Sequence, residues 1–338
     1  MTRGNSPSGK TIRLGCRLNF SKTVSMKPML SQLDSKLEKN PAGDKENIVD
    51  FSGELAARDR RIRLKGAPLI MGILNINNDS FAGDGRLDID WALQRAVEMV
   101  AEGADIIDVG GESARTNREA VTEAEELQRV RPFLEKFDAI MQSARPRSEN
   151  QVFPPLLSLN TWRSGVVEGC LSAGFDILND MSALPDDTNA RYCARIGAAL
   201  LIMHSKGEPK IPHKYVTYPD VLSELVEFFQ IKTNMAMRAG VPRDRIILDP
   251  GIDFAKQKDD NLQIHRDLDA LTALGFPVLL PVSRKSVIGH VLDIKAPVER
   301  DTGTVACIVA GALRGAAIFR VHNISAAWFT LRALEVVK

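Results

Sequence analysis

The residues with the clearest chemical potential lie where short apolar runs end. Asn75, Asp79 and Ser80 follow Leu69–Leu74, and Asp108, Glu112, Ser113 and Arg115 lie in or just after Asp105–Val109. Asn160 and Thr161 follow a third run, Asn179, Asp180 and Ser182 a fourth, and His204 and Lys206 a fifth. Asp249 and Lys256 follow a sixth, Ser283-Arg284-Lys285-Ser286 a seventh, and Arg320, His322 and Asn323 the last. The amides and carboxylates (Asn160, Asn179, Asp249) suit the edge of a flat nitrogen heterocycle. The cations (Arg115, Arg284, Lys285, Arg320, with His322) suit phosphate oxygens. No Ser-His-Asp set at nucleophile-elbow spacing and no dense His/Cys cluster occurs, so covalent acyl transfer and zinc catalysis find no support.

The elements that must position these groups repeat. Apolar runs at 69–74, 105–109, 155–159, 176–178, 198–203, 245–248, 277–282 and 317–321 read as buried parallel strands. Between them, Glu123–Met141, Arg163–Ala173, Tyr218–Ala239, Asn261–Ala273, Thr304–Leu313 and Ser325–Val336 carry helical spacing, as does the stretch after Asp90. Gly103, Gly174, Gly197, Gly240 and Gly275 fall where a left-handed helix cap wants glycine. Pro132 makes one helix boundary uncertain. Eight strand–helix units in about 270 residues predict a (β/α)8 TIM barrel, with an open doubly wound sheet as competitor. In a barrel the strand ends form one ring, and that ring is where the chemistry sits.

The 338 residues carry 44 Lys+Arg against 43 Asp+Glu, a balance that lacks the basic excess of a general nucleic-acid or anionic-membrane binder. Hydrophobic residues at 44% are enough for a globular core. Four cysteines at long intervals, none in a C-x-x-C pair, argue against a disulfide framework and for buried thiols. No apolar run is long enough to span a bilayer. Residues 1–66 read as a largely disordered extension, leaving 67–338 as the barrel domain. No acidic residue precedes Asp34, so an organellar transit peptide is one reading of this basic segment and a solvated tail another. Gly4-Asn5-Ser6-Pro7-Ser8-Gly9-Lys10-Thr11 matches a phosphate-loop pattern, but only three residues precede it, too few for the strand such a loop requires.

Several segments, in order, resemble dihydropteroate synthases. They are Met71-Gly-Ile-Leu-Asn75 with Asp79-Ser-Phe81, Ile107-Asp-Val-Gly-Gly-Glu-Ser113, Asn179-Asp180, Met203-His204, Asp249-Pro-Gly251, Ser283-Arg-Lys-Ser286 and Arg320-Val-His322. The resemblance implies condensation of 6-hydroxymethyl-7,8-dihydropterin diphosphate with p-aminobenzoate, releasing pyrophosphate. It implies a cytoplasmic homodimer using Mg²⁺, with Asn75 at the metal. It assigns Lys285, Arg320, His322 and Arg115 to catalysis. The pterin would meet Asn160, Asn179, Asp249, Lys285 and Arg320, and the aminobenzoate Phe254, Ser286 and Ala114. In that family the C–O bond is thought to break first, leaving a cationic pterin methylene that the arylamine attacks.

The departures are specific. Asn160 stands where the family has Asp, which removes a negative charge that would stabilise the cationic methylene. Asn77-Asn78 replace Thr-Pro, and Ala114-Arg115-Thr116-Asn117 replace Thr-Arg-Pro-Gly. Asp253 and Ala255 replace glycines, and Asn323 replaces Asp. These changes keep two alternatives open. One is a pterin-binding paralogue with a different or no second substrate. The other is a methyl-tetrahydropterin:corrinoid methyltransferase, although no corrinoid-binding segment is present.

Overall fold

The computed structural model describes residues 53–64, 66–77, 87–113, 119–207, 210–211 and 216–337. The phosphate-loop-like segment and Cys16 lie outside them. So do Asp79, Ser80, Ala114 and Arg115.

All eight expected strands form, as one parallel sheet. They are β3 (Leu69–Asn75), β4 (Ile106–Gly110), β5 (Leu156–Asn160), β6 (Ile177–Asp180), β7 (Ala199–Met203), β8 (Ile246–Asp249), β9 (Leu279–Leu280) and β10 (Ile318–Val321). The order runs from β8 through β3 to β10 and β9, and a bridge between Leu248 and Val278 closes the ring. Nearly every strand residue is buried, because both faces are covered: outward side chains meet helices and inward ones fill the barrel. Acidic residues at strand starts staple the lower rim. Asp105 accepts N–H bonds from Ile70 and Val152, each at 2.9 Å, and Asp176 accepts from Leu157 at 2.8 Å.

The helices follow the expected periodicity, with three corrections. Glu123–Met141 continues through Pro132, which sits part-exposed on the helix surface. The stretch read as 261–273 is two helices, Lys258–Arg266 and Asp269–Thr272. Thr188–Ile196 and Ser286–Leu292 are helices that periodicity did not reveal, being too short to establish a repeat. All five predicted glycine caps have positive φ. Gly103 is the most constrained, since φ is 113° and an added Cβ would lie 2.3 Å from the Trp328 ring.

The expected domain boundary at 66 falls too late. β1 (Glu54–Ala57) and β2 (Arg60–Arg63) form an antiparallel hairpin. Its Leu55, Ala57 and Ile62 join Leu69, Met71, Ile106 and Leu156 in the lower barrel core, so the hairpin plugs the floor. Arg60 bonds the Pro154 carbonyl at 2.6 Å, and Arg58 N–H bonds the Gly197 carbonyl at 2.6 Å. The signal was weak because two four-residue strands with three arginines among them look polar in sequence.

Leu55→Ala removes a fully buried side chain from this plug and is expected to lower unfolding free energy by about 2–5 kcal/mol in urea denaturation. A loss below about 0.5 kcal/mol would mean that the hairpin does not seal the core.

Candidate active site

The centre of the site is Asp108, fully buried in mid-β4. Parallel register sets Asp108 beside Ser158, Gly110 beside Asn160, and Asn160 beside Asn179. Four donors from three other strands therefore converge on one carboxylate. Ser158 Oγ donates at 2.6 Å, Asn160 Nδ2 at 3.0 Å, Asn179 Nδ2 at 3.2 Å and Arg320 Nε at 2.7 Å. A carboxylate taken this far from water requires such partners. Asp108 was in the ring read from sequence but received no role there. The available signal was a lone charge inside an otherwise apolar strand, Ile-Ile-Asp-Val.

The arrangement changes the meaning of Asn160. An aspartate there would place a second carboxylate about 3 Å from Asp108, and two like charges at that distance do not both ionise without further compensation. The amide instead donates to Asp108. Its Oδ1 is buried and has no partner. An orphaned acceptor at a strand mouth fits an N–H of a heterocycle. Position 160 is therefore uncharged, as expected, and the nearest carboxylate is that of Asp108, one hydrogen bond away.

Asp249 forms a second pole at the end of β8. It is almost fully buried and accepts Gly251 N–H at 2.7 Å. Desolvation pushes its pKa up to about 6, opposed by that hydrogen bond and by Lys285, Arg320 and Lys256. Gly251 is needed here, since φ is 66° and a Cβ would lie 2.0 Å from the His204 carbonyl oxygen.

Lys285 Nζ donates to the Ile252 carbonyl at 2.8 Å and stands 4.8 Å over the Phe254 ring. Burial lowers its pKa, and Asp253 and Asp249 oppose the shift. Ser286 begins the helix that follows. His322 N–H donates to Ser283 Oγ at 3.1 Å, and that hydroxyl lies 2.8 Å from His322 Nδ1. With the imidazole proton on Nε2, the Ser283 hydroxyl donates to Nδ1 and Nε2–H is the donor suited to an anion. Lys285, Arg320 and His322 thus gather with Asn160, Asn179 and Asp249 at one barrel mouth, Phe254 and Ser286 lie beside Lys285, and Asn75 ends β3.

Other ring members have structural tasks. Arg284 pairs with Asp301 through bonds of 2.8 and 3.1 Å, so it is not held toward a phosphate. Asn323 donates to the same Asp301 at 2.9 Å, which an aspartate at 323 would repel. Glu112 accepts Val121 N–H at 3.2 Å and meets Arg163 at 2.5 Å and Lys210 at 3.2 Å, bracing the second loop. His204 packs edge-on against Phe228 and its Nδ1 lies 2.8 Å from Lys256 Nζ. Burial holds His204 down at about 2, so its ring is packed neutral, and lowers Lys256 to about 7, which leaves its amine about half protonated near pH 7. Asp253 and Ala255 both have positive φ, 68° and 49°, which explains why glycine suits those positions and shows that this chain bears the strain.

Among the described residues, no group of three His, Cys, Asp or Glu could hold a metal ion. Asn75 contributes one neutral amide, which fits an ion carried mainly by substrate oxygens and does not fit a resident metal centre.

Fold and site together define a (β/α)8 enzyme whose mouth accepts a flat hydrogen-bonding heterocycle beside an anion. The family model described as pterin binding enzyme matches residues 71–322. A dihydropteroate synthase of Bacillus subtilis is 38% identical over 281 residues, 82% of this chain and 92% of its own. The Yersinia pestis dihydropteroate synthase, solved with a sulfonamide drug, superposes with a TM-score of 0.75 at 33% identity, covering 84% of this chain and 98% of that one. The Thermus thermophilus enzyme in complex with 6HMPPP gives 0.70 at 33% identity, covering 84% and 100%. In complex with 4-aminobenzoate it gives 0.71 at the same identity and coverage. The chain belongs to the pterin-binding enzymes and, within them, to the dihydropteroate synthase family of transferases. No helix among the described residues is long and apolar enough to cross a membrane.

Asp108→Ala leaves Arg320 and two amides without their acceptor. It is expected to cost about 3–5 kcal/mol of stability in denaturant titration. A change under about 1 kcal/mol would show that the network is not a buried unit.

Proposed function

We propose that this protein condenses 6-hydroxymethyl-7,8-dihydropterin diphosphate with p-aminobenzoate, forming dihydropteroate and pyrophosphate. The observation that carries this reading is the Asp108 network with the unpartnered Asn160 Oδ1 beside it. A pterin edge offers the N–H groups such acceptors need. In this reading Asn160, Asn179 and Asp249 hold the pterin edge, Lys285 contacts the ring, and Arg320 lies between the ring and the diphosphate. The pterin methylene C–O bond breaks, the electron pair leaves with the diphosphate, and the arylamine nitrogen forms the new C–N bond and loses a proton.

The fixed carboxylate of Asp108 stabilises positive charge developing at the methylene, in a site drier than water. Arg320 and His322 Nε2–H receive charge developing on the leaving diphosphate. Arg115, outside the described residues, joins them by resemblance, as does Ala114 on the aminobenzoate side with Phe254 and Ser286. Mg²⁺ bound to the diphosphate and touching Asn75 would neutralise further leaving-group charge. The corrinoid methyltransferase alternative receives no support from the relatives named above.

We place the protein in the cytoplasm, which suits the unpaired thiols of Cys170, Cys193 and Cys307. Homodimerisation is proposed through helices 301–313 and 324–337, where Leu313, Phe329, Val336 and Val337 are exposed apolar residues. Light scattering at micromolar concentration is expected to give twice the chain mass; a monomer would refute this.

The direct test is pyrophosphate release from the pterin diphosphate with Mg²⁺, with and without p-aminobenzoate. Arylamine-dependent release yielding dihydropteroate is expected, and Arg320→Ala is expected to lower kcat by a factor on the order of 10²–10³. Release that ignores the arylamine would contradict the reading. A pH series adds a check. Asp249 offers both oxygens and a charge to the pterin N–H groups only when ionised, so pterin affinity is expected to fall as pH drops through about 6, and Asp249→Asn is expected to flatten that dependence. Affinity that rises on acidification would contradict the role of Asp249.

A further inference from the structure

Asp253 occupies a position the departures single out, and its carboxylate is not idle. It accepts the N–H of Ser286 in a very short hydrogen bond and that of Val287 at 3.3 Å. Asn261 holds it from the other side. Its Nδ2 lies 3.3 Å from Oδ1, and its own Oδ1 accepts Asp253 N–H at 2.8 Å. The backbone at 253 stays in the left-handed region to permit this. A glycine would adopt that φ without strain but could not make the bonds. The carboxylate is therefore fixed against the start of the helix carrying Ser286 and beside Phe254 in sequence, the two residues assigned to the aminobenzoate. Lys285, the cation between them, directs its ammonium at the Ile252 carbonyl.

We propose that Asp253 sets the charge selectivity for the second substrate. Its carboxylate accepts the N–H groups of Ser286 and Val287 and holds a fixed negative charge beside Ser286. The para-carboxylate of p-aminobenzoate is thus received less well than in a site with glycine at 253. An arylamine with a neutral para group loses nothing. The proposal deepens the synthase reading and rests on it.

The test compares wild type, Asp253→Gly and Asp253→Asn with p-aminobenzoate and with neutral p-aminobenzamide, following pyrophosphate release. Both substitutions are expected to raise kcat/KM for p-aminobenzoate relative to p-aminobenzamide about tenfold, mainly through KM. The KM for the pterin diphosphate is expected to stay within about twofold. A distorted fold would depress both arylamines together and leave their ratio unchanged. The asparagine variant keeps the shape of the side chain while removing its charge. An acid-to-amide ratio within about twofold of wild type in both variants would overturn the proposal while leaving the synthase reading intact. Failure of either arylamine to stimulate release in all three proteins would defeat the synthase reading, and the proposal with it.

Discussion

Much of the upper barrel depends on the ion pair between Asp108 and Arg320. It joins β4 to β10 across the barrel interior at 2.7 Å and shares its carboxylate with amides from β5 and β6. Removing a carboxylate from water is costly, and only a nearly complete set of donors offsets it. The same donors then fix the orientations of Asn160 and Asn179, because an amide that has committed its NH₂ group to Asp108 must present its oxygen elsewhere. Substrate acceptors are thereby preorganised before any ligand arrives. Among the described residues, the lower barrel core is lined by apolar side chains. There the β1–β2 hairpin and inward apolar side chains supply the packing, so stability at the floor and chemistry at the mouth are kept apart.

The loops above this centre are held by different means. The described ends of the second loop are joined by Glu112, which accepts Val121 N–H and pairs with Arg163 and Lys210. The sixth is tied by Lys256 to the Phe254 carbonyl at 3.1 Å and by Asp253 to the helix at 286–292. Asp253 and Ala255 keep backbone conformations that glycine adopts at lower cost, so local strain is retained beside the second-substrate end. Apart from Asn160 and Asn323, the substitutions relative to the family pattern fall at that end and on the loops. The contacts around Asp108, which would meet the pterin, keep their full set of donors.

The sequence was most legible where one side-chain environment dominated. Continuous apolar runs identified every barrel strand because parallel strands are buried on both faces. Strand-end polar residues then formed a ring once the barrel was recognised. Pairing within that ring was less legible. Arg284 and Arg320 look equivalent as residue types, yet one is held by Asp301 and the other by Asp108, and only three-dimensional register separates them. That Asn160 donates to Asp108 was not legible because the two lie 52 positions apart in the chain. The hairpin at 54–63 escaped notice because its apolar residues are few and its arginines serve carbonyls on the barrel floor.

The central claim is that the site needs one carboxylate at this place and that Asp108 supplies it. A charge exchange tests it most directly: kcat/KM for pyrophosphate release in wild type, Asp108→Asn, Asn160→Asp and the double variant that moves the carboxylate from 108 to 160. The account predicts a loss on the order of 10²–10³ in Asp108→Asn, recovery of at least about tenfold in the exchanged double variant, and no gain in Asn160→Asp alone. A tenfold or greater gain in Asn160→Asp, with Asp108→Asn close to wild type, would contradict it and place the missing charge at 160.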